Sequence, residues 1–346
     1  MTANLFQHLN LRPDNPLTLE AFTEQLRERE VHFLPDKTLP LNEVRVDEDL
    51  NLIIPGEGRR FALNSHSKGQ LNSILGFKAD RWFEGAPDNV KQQELNIRLQ
   101  RAGTDVKFRL TDTVLEGSSA NGTIAGIVTP GFQPISDAVV SGVLGFSMPR
   151  DSKILRASIT EQTAEWVIAI GGPIGIPSVG DTFQALAISN SNTGAASFTM
   201  KTMFVRIACQ NGLVVPVFSA SGKSASLLIS RKHTGNALEE VLDKLHDAVG
   251  ISTERFIEGQ SNLVRAADET VNDPLLALQT IVRNAHQPKK LAQEFLQSSF
   301  ANEPLTTRLG IIRAVTDNST HEAMGLSFEA RRDLEQAASN YLSLPC

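Results

Sequence analysis

The feature that most constrains this chain is a switch of hydrophobic period near Thr234. From Lys153 to Arg231 the sequence runs through apolar segments of strand length: "KILRASI", "AEWVIAI", "TFQALAIS", "SFTMKTMFVRIAC", "LVVPVF" and "ASLLISR". Beyond Thr234 apolar residues recur every three or four positions. In "NALEEVLDKLHDAVG" a single stripe holds Leu238, Val241, Leu242, Leu245, Ala248 and Val249. The first pattern fits strands and the second fits a helix with 3.6 residues per turn. Several strand segments are apolar on both faces, so helices or another sheet must cover both sides. Asn236 with Glu239 three residues later predicts a capping box, and Gly250 predicts the helix stop.

Upstream the signals alternate. "TLEAFTEQLRERE" places Leu19, Phe22 and Leu26 at helical spacing, and "RRFALN" reads as a strand. "SHSKGQLNSILGF" reads as a helix capped at Ser65 or Ser67 and stopped at Gly76. "PDNVKQQELNIRLQRAG" is a helix with Pro87 at its start and Gly103 beyond its end. "VKFRL" alternates apolar and basic residues and predicts a hairpin with "ANGTIAGIV". A short helix is expected around "ISDAVVSGVLGF". After the helix that begins near Asn236, further helices are expected near 253–270, 275–286, 288–300, 304–316 and 327–342. The fold class is therefore α+β: a mostly antiparallel, hairpin-rich sheet packed with helices, followed by an all-α C-terminal region. Three regions are expected: an acidic N-terminal segment (1–60), an α+β core (61–233) and a helical C-terminal region (234–346).

At 346 residues the chain exceeds the usual single-core size. Two cysteines, Cys209 and Cys346, build neither a disulfide framework nor a four-cysteine zinc site. No run approaches the roughly 18 apolar residues of a membrane span, and the first residues lack the order of a secretion signal. These features point to a cytoplasmic protein with no membrane partner. The net charge is −6, spread unevenly. Residues 1–60 carry 7 basic and 11 acidic side chains, 61–232 carry 16 and 12, and 233–346 carry 10 and 16. A mildly basic centre between acidic ends could meet an anionic polymer, although fluctuation between solvated surfaces gives the same counts.

No segment names a reaction. In "RIACQNGLVVP", Cys209 is in phase with Val205 and Ile207, as a buried thiol would be, and Asn211-Gly212 suits a two-residue turn. A nucleophilic Cys209 would need a histidine or a helix N-terminus beside it. "SASGKSAS" ends like a phosphate loop, but Val217 stands where that loop needs glycine and a strand follows instead of a helix. "GGPIGIPSVG" fits a long hairpin connection. No histidine spacing suggests a metal site, and no cofactor is expected. "SRKHTGN" places Arg231, Lys232 and His233 before a helix start, where backbone N–H groups favour an anion; a solvated turn is the alternative. Lys107, Arg109, Arg156, Lys201 and Arg206 lie on expected strands, where they could share a basic face or pair with internal carboxylates. Trp82 and Phe83 could stack on bases or anchor a turn in the core.

Three of these segments, taken together, resemble a family of phage- and plasmid-encoded proteins known as domain of unknown function 932. "RIACQNGL" resembles its arginine–cysteine–asparagine–glycine signature. "SRKHTGNALEEVLDKL" resembles the arginine–histidine–threonine segment that follows, with Lys232 inserted. "HSKGQLNSILGF" with "DRWFEG" resembles its upstream helix and aromatic turn, with Trp82 or Phe83 in place of a tyrosine. The resemblance spans roughly residues 60–250. It implies a mobile-element context and supplies no catalytic residues. The sheet-and-helix outline also resembles single-strand annealing proteins. The expected function is a non-enzymatic, homo-oligomeric, single-stranded DNA-binding and annealing protein of the bacterial host cytoplasm, serving recombination or DNA maintenance. Lys107, Arg109, Lys201, Arg206, Arg231, Lys232 and His233 would meet phosphates, with Trp82 or Phe83 stacking. The acidic helical tail could hold a protein partner or limit non-specific DNA contact. The alternative is a structural or anti-defence interaction protein without nucleic-acid activity.

Overall fold

The computed structural model describes residues 8–9, 17–76, 85–160, 162–206, 213–216, 227–298, 305–320, 324–326 and 328–342. Helix α1, Leu19–Glu30, begins where Thr18 Oγ1 accepts the Ala21 N–H at 3.2 Å, an ordinary N-cap. It buries Leu19, Phe22 and Leu26, the stripe that the spacing predicts.

A six-stranded sheet runs in the order Lys37–Pro40, Asp105–Thr111, Gly122–Val128, Arg60–Leu63, Leu52–Ile53, Arg45–Val46. The hairpin expected around "VKFRL" and "ANGTIAGIV" is its centre, pairing antiparallel from Lys107↔Val128 to Thr111↔Thr123. Arg60–Leu63 joins in parallel, by way of the crossover through α2 (Ser65–Ile74) and α3 (Asp88–Arg101). The cap of α2 is Asn64, whose Oδ1 accepts the Ser67 N–H at 2.8 Å, not Ser65 or Ser67. Gly76 ends that region at φ +75°, as expected of a left-handed stop. Leu41, Leu52, Phe61, Phe108 and Ile124 form the core beneath these helices. Three of the six strands therefore come from the acidic first sixty residues.

The larger sheet is antiparallel. Its main path is His8–Leu9, Lys153–Ile159, Ala164–Ala169, Gly180–Asn190, Phe198–Arg206, Leu213–Pro216, with Leu227–Arg231 paired to Phe198–Lys201. The glycine-rich "GGPIGIPSVG" is the hairpin connection that the spacing suggests, and its Ile174–Ile176 folds back onto Gly180–Thr182. One face places Ile154, Trp166, Leu186, Ile188 and Met200 against α1, α4 (Asp137–Ser147) and the start of the next helix.

That next helix, α5, spans Ala237–Asp268, 32 residues. Gly250 does not stop it, and the expected helices on either side of this glycine are one. The stop fails because each half has its own core to bury. Val241, Leu245 and Ala248 pack under the sheet, while Phe256, Leu263 and Ala266 pack among the later helices. The capping box does not form either, since Asn236 makes no side-chain capping bond. Helices α6 (Pro274–Asn284), α7 (Lys290–Gln297), α8 (Arg308–Thr320) and α9 (Phe328–Leu342) follow. Their core, with Leu278, Ile281, Phe295, Ile312, Val315 and Leu334, includes Ile176, Val179 and Phe204 of the sheet. The helical tail thus shares a core with the strands it follows.

Candidate nucleic-acid interface

The structure distributes the expected basic residues over three places. Lys107 and Arg109 belong to the smaller sheet and point into its junction with the larger one. Lys107 Nζ donates to the Phe132 carbonyl at 2.5 Å. Arg109 is 7% exposed; it donates to Asn192 O at 2.9 Å and Asp36 Oδ1 at 2.6 Å, and lies 4.8 Å over the Phe33 ring. Burial lowers its guanidinium pKa from the usual value despite Asp36 beside it. His233 is also buried, stacked on Phe132 at 4.9 Å, with Nδ1 3.1 Å from Gln133 O. Burial pulls its pKa below the ordinary histidine range, so the ring is neutral at pH 7. Sequence placed these three on a binding surface; in the fold Arg109 ties the smaller sheet to the loop of the larger one, while Lys107 and His233 meet the carbonyls of Phe132 and Gln133 in the connecting segment.

The junction is built around a buried polar loop, Asn190–Thr193. Asn190 Nδ2 donates to Ile135 O at 2.7 Å and to Asp137 Oδ1 at 2.6 Å, and Asn192 Nδ2 donates to Asp137 Oδ2 at 3.1 Å. Arg29 Nη1 reaches the same carboxylate at 3.4 Å. Thr193 O lies 3.2 Å from His66 Nε2 and accepts from Gln70 Nε2 at 3.2 Å. Buried loops are rare because their backbone groups need partners, and here Arg109 of the smaller sheet, His66 and Gln70 of α2 and the loop's own Ser191 provide them.

At the strand–helix junction, Arg231 Nη2 donates to Glu240 Oε1 at 2.7 Å and to Thr234 O at 3.0 Å. The arginine is thus tied to the first turns of α5. Lys232 is exposed. Trp82, Phe83, Cys209 and the Asn211-Gly212 turn lie outside the described residues, as does the side chain of Arg206.

The third place is the outward face of the larger sheet, and it does gather charge. Pairing puts Ser158, Glu165, Ser189 and Thr199 in one cross-strand row, and Arg156, Val167, Ala187 and Lys201 in the next. Three strand spacings, about 14 Å, separate the Arg156 and Lys201 backbones. Their heads converge because α9 lies across the row. Arg156 Nη1 and Nη2 bind Glu335 Oε1 and Oε2 at 2.8 and 3.1 Å, and Lys201 Nζ reaches Gln336 Oε1 at 3.4 Å. Between sheet and helix is an open cleft of about 300 Å³, floored by Ser158, Glu165, Ser189 and Thr199 of the first row and by Ala187, with the Ser189 hydroxyl donating to Glu165 Oε1 at 3.4 Å. Burial by itself would lower the Arg156 pKa, but the carboxylates of Glu335 and Glu165 outweigh it and hold the pKa above the usual value. The side chains that complete this cleft, Glu335 and Gln336, were invisible in sequence, lying 179 and 135 residues from their partners. Among the described residues no three His, Cys, Asp or Glu side chains are grouped to hold a metal ion, and no helix is long and apolar enough to cross a membrane.

The fold is that of an α+β protein whose open sheet face is roofed by its own last helix. Residues 157–343 match the family model described as domain of unknown function (DUF932), more than half the chain, and the chain belongs to that family. The matched region starts within the first long strand of the larger sheet and ends beyond α9. It therefore takes in the helical tail, which the sequence resemblance had left out, and excludes the "HSKGQLNSILGF" and "DRWFEG" segments. No curated protein and no solved structure matches the chain.

Proposed function

We propose that this protein binds single-stranded nucleic acid by its phosphates and serves a phage or plasmid as a non-enzymatic annealing or recombination factor in the host cytoplasm. The observation that supports this reading is the convergence of Arg156 and Lys201 on one open cleft floored by Ser158, Ser189 and Thr199. Two cations beside the Ser158 and Thr199 hydroxyls suit phosphate oxygens and carry no sequence information, and Glu165 and Glu335 are the carboxylates that a strand must outcompete there. Of the residues first expected to bind, Lys201 stays in the site and Lys232 is exposed beyond it. Lys107, Arg109 and His233 act inside the fold. Assembly into homo-oligomers would string such clefts along one strand.

The test is fluorescence anisotropy of a labelled oligothymidylate at low and moderate salt, with a duplex control. Two phosphate contacts give a slope of log K against log salt of about −1.4. Lys201→Ala should weaken binding and flatten that slope. A folded protein that binds no single strand at low salt overturns the proposal.

A second reading, a protein-interaction role, rests on a separate observation. Phe146 near the end of α4 is 94% exposed, with Val139 two turns earlier at 42%. An exposed aromatic of this kind suits a protein contact. A partner captured by wild-type protein and lost with Phe146→Ser, without any single-strand affinity, would favour it.

A further inference from the structure

The ion pair that roofs the cleft reproduces, within one chain, the contact a phosphate would make there. A guanidinium fork accepts a carboxylate or a phosphate in the same two-point geometry. Glu335 already fills that fork at 2.8 and 3.1 Å, and the next residue, Gln336, accepts from Lys201. The two cations of the cleft are thus met by consecutive side chains of a single helix.

The carboxylate is the more buried partner of the pair. Leu334, Ala337, Ala338 and Leu342 anchor α9 in the helical core, and the Glu335 side chain is 7% exposed. Arg156 is 32% exposed at the mouth of a cleft with room beside it. An incoming anion can therefore draw Arg156 over without moving the helix.

Resting on the reading that the cleft takes phosphates, we infer that Glu335 is a built-in competitor for Arg156. It sets a threshold of anion density below which the cleft stays closed on itself. A single phosphate meets a competitor built into the same chain. A nucleic-acid strand presents successive phosphates and displaces the carboxylate through the combined pull on Arg156 and Lys201. Through this one glutamate, the acidic tail discriminates against small anions.

The experiment compares wild type with Glu335→Gln, which keeps the shape and one acceptor but removes the charge. Oligothymidylate affinity should rise about tenfold while the salt slope stays at about −1.4, because both cations already meet phosphates once the strand is bound to wild type. Inorganic phosphate, a poor competitor of the oligonucleotide on wild type, should compete on the variant. The double variant Arg156→Gln/Glu335→Gln should lose the gain. If wild type binds and Glu335→Gln binds with equal affinity, the competitor role is overturned while single-strand binding stands. If neither binds and both unfold at the wild-type urea midpoint, the binding reading itself falls. Should Glu335→Gln not fold, Glu335→Asp carries the test: its shorter reach loosens the fork, so a gain of about threefold supports the role and no gain overturns it.

Discussion

A Cβ placed on Gly126 would stand 2.5 Å from the carbonyl oxygen of Thr193. The central strand of the smaller sheet thus meets the buried loop of the larger one backbone against backbone, and only glycine permits it. Gly126→Ala should destabilise the protein by about 2–3 kcal/mol, as overpacking at a rigid contact does. The urea midpoint should fall accordingly. An unchanged midpoint would mean that the two sheets yield at this seam.

Asp137 makes stability depend on pH near neutrality. Burial raises its pKa to about 7 from 3.8, against the pull of Arg29 and of the Asn190 hydrogen bond and with a further push from Glu30. The folded state therefore holds a proton that the unfolded chain releases near pH 4. The stabilisation is complete below pH 4 and is lost as pH rises through about 7, amounting to about 4 kcal/mol at most. Asp137→Asn should flatten the dependence of the unfolding free energy on pH between 5 and 8, while lowering stability at every pH because its amide NH2 faces the Asn190 or Asn192 donor and Arg29 loses its carboxylate. A wild-type curve that climbs over this range would contradict the assignment.

Arg109→Gln separates structure from binding. Its loss leaves Asp36 and the Asn192 carbonyl short of a partner in a buried setting, costing about 3 kcal/mol or more. Measured well below its melting temperature, the variant should keep the wild-type salt slope toward an oligonucleotide. A flattened slope would return Arg109 to the binding surface.

Most of the architecture was legible in the sequence because local pattern and burial agree there. The alternation of "VKFRL" and, among the described residues, the apolar runs from Lys153 to Arg231 became the strands they suggested, and Leu19, Phe22 and Leu26 became the buried stripe of α1. The site was much less legible. Alternation assigns Arg109 to a face of its strand, but cannot show that this face looks into a second sheet rather than into solvent. Arg156 and Lys201 look no different from Arg109 in sequence; their meeting depends on a register across four strands and on a helix far along the chain. Gly250 misled for a related reason. A glycine after an apolar stripe stops a helix only if the residues beyond it have nothing to bury, and Phe256, Leu263 and Ala266 do.

Gly250 offers a test of opposite sign to Gly126. It sits inside α5 with open space where a side chain would go. Gly250→Ala should raise stability by about 0.5–1 kcal/mol through helix propensity alone. A midpoint lowered by this substitution would show that the helix needs to bend there.

The continuity of α5 has a mechanical consequence. At about 1.5 Å per residue this helix is a strut of roughly 48 Å, set at one end beneath the strands and at the other among the last four helices. Strain at either end passes along a continuous ladder of backbone hydrogen bonds rather than dissipating in a hinge. Amides in both halves of α5 should therefore exchange with solvent only in the same global opening, and a protease cut near residue 250 should release two fragments of which neither stays folded.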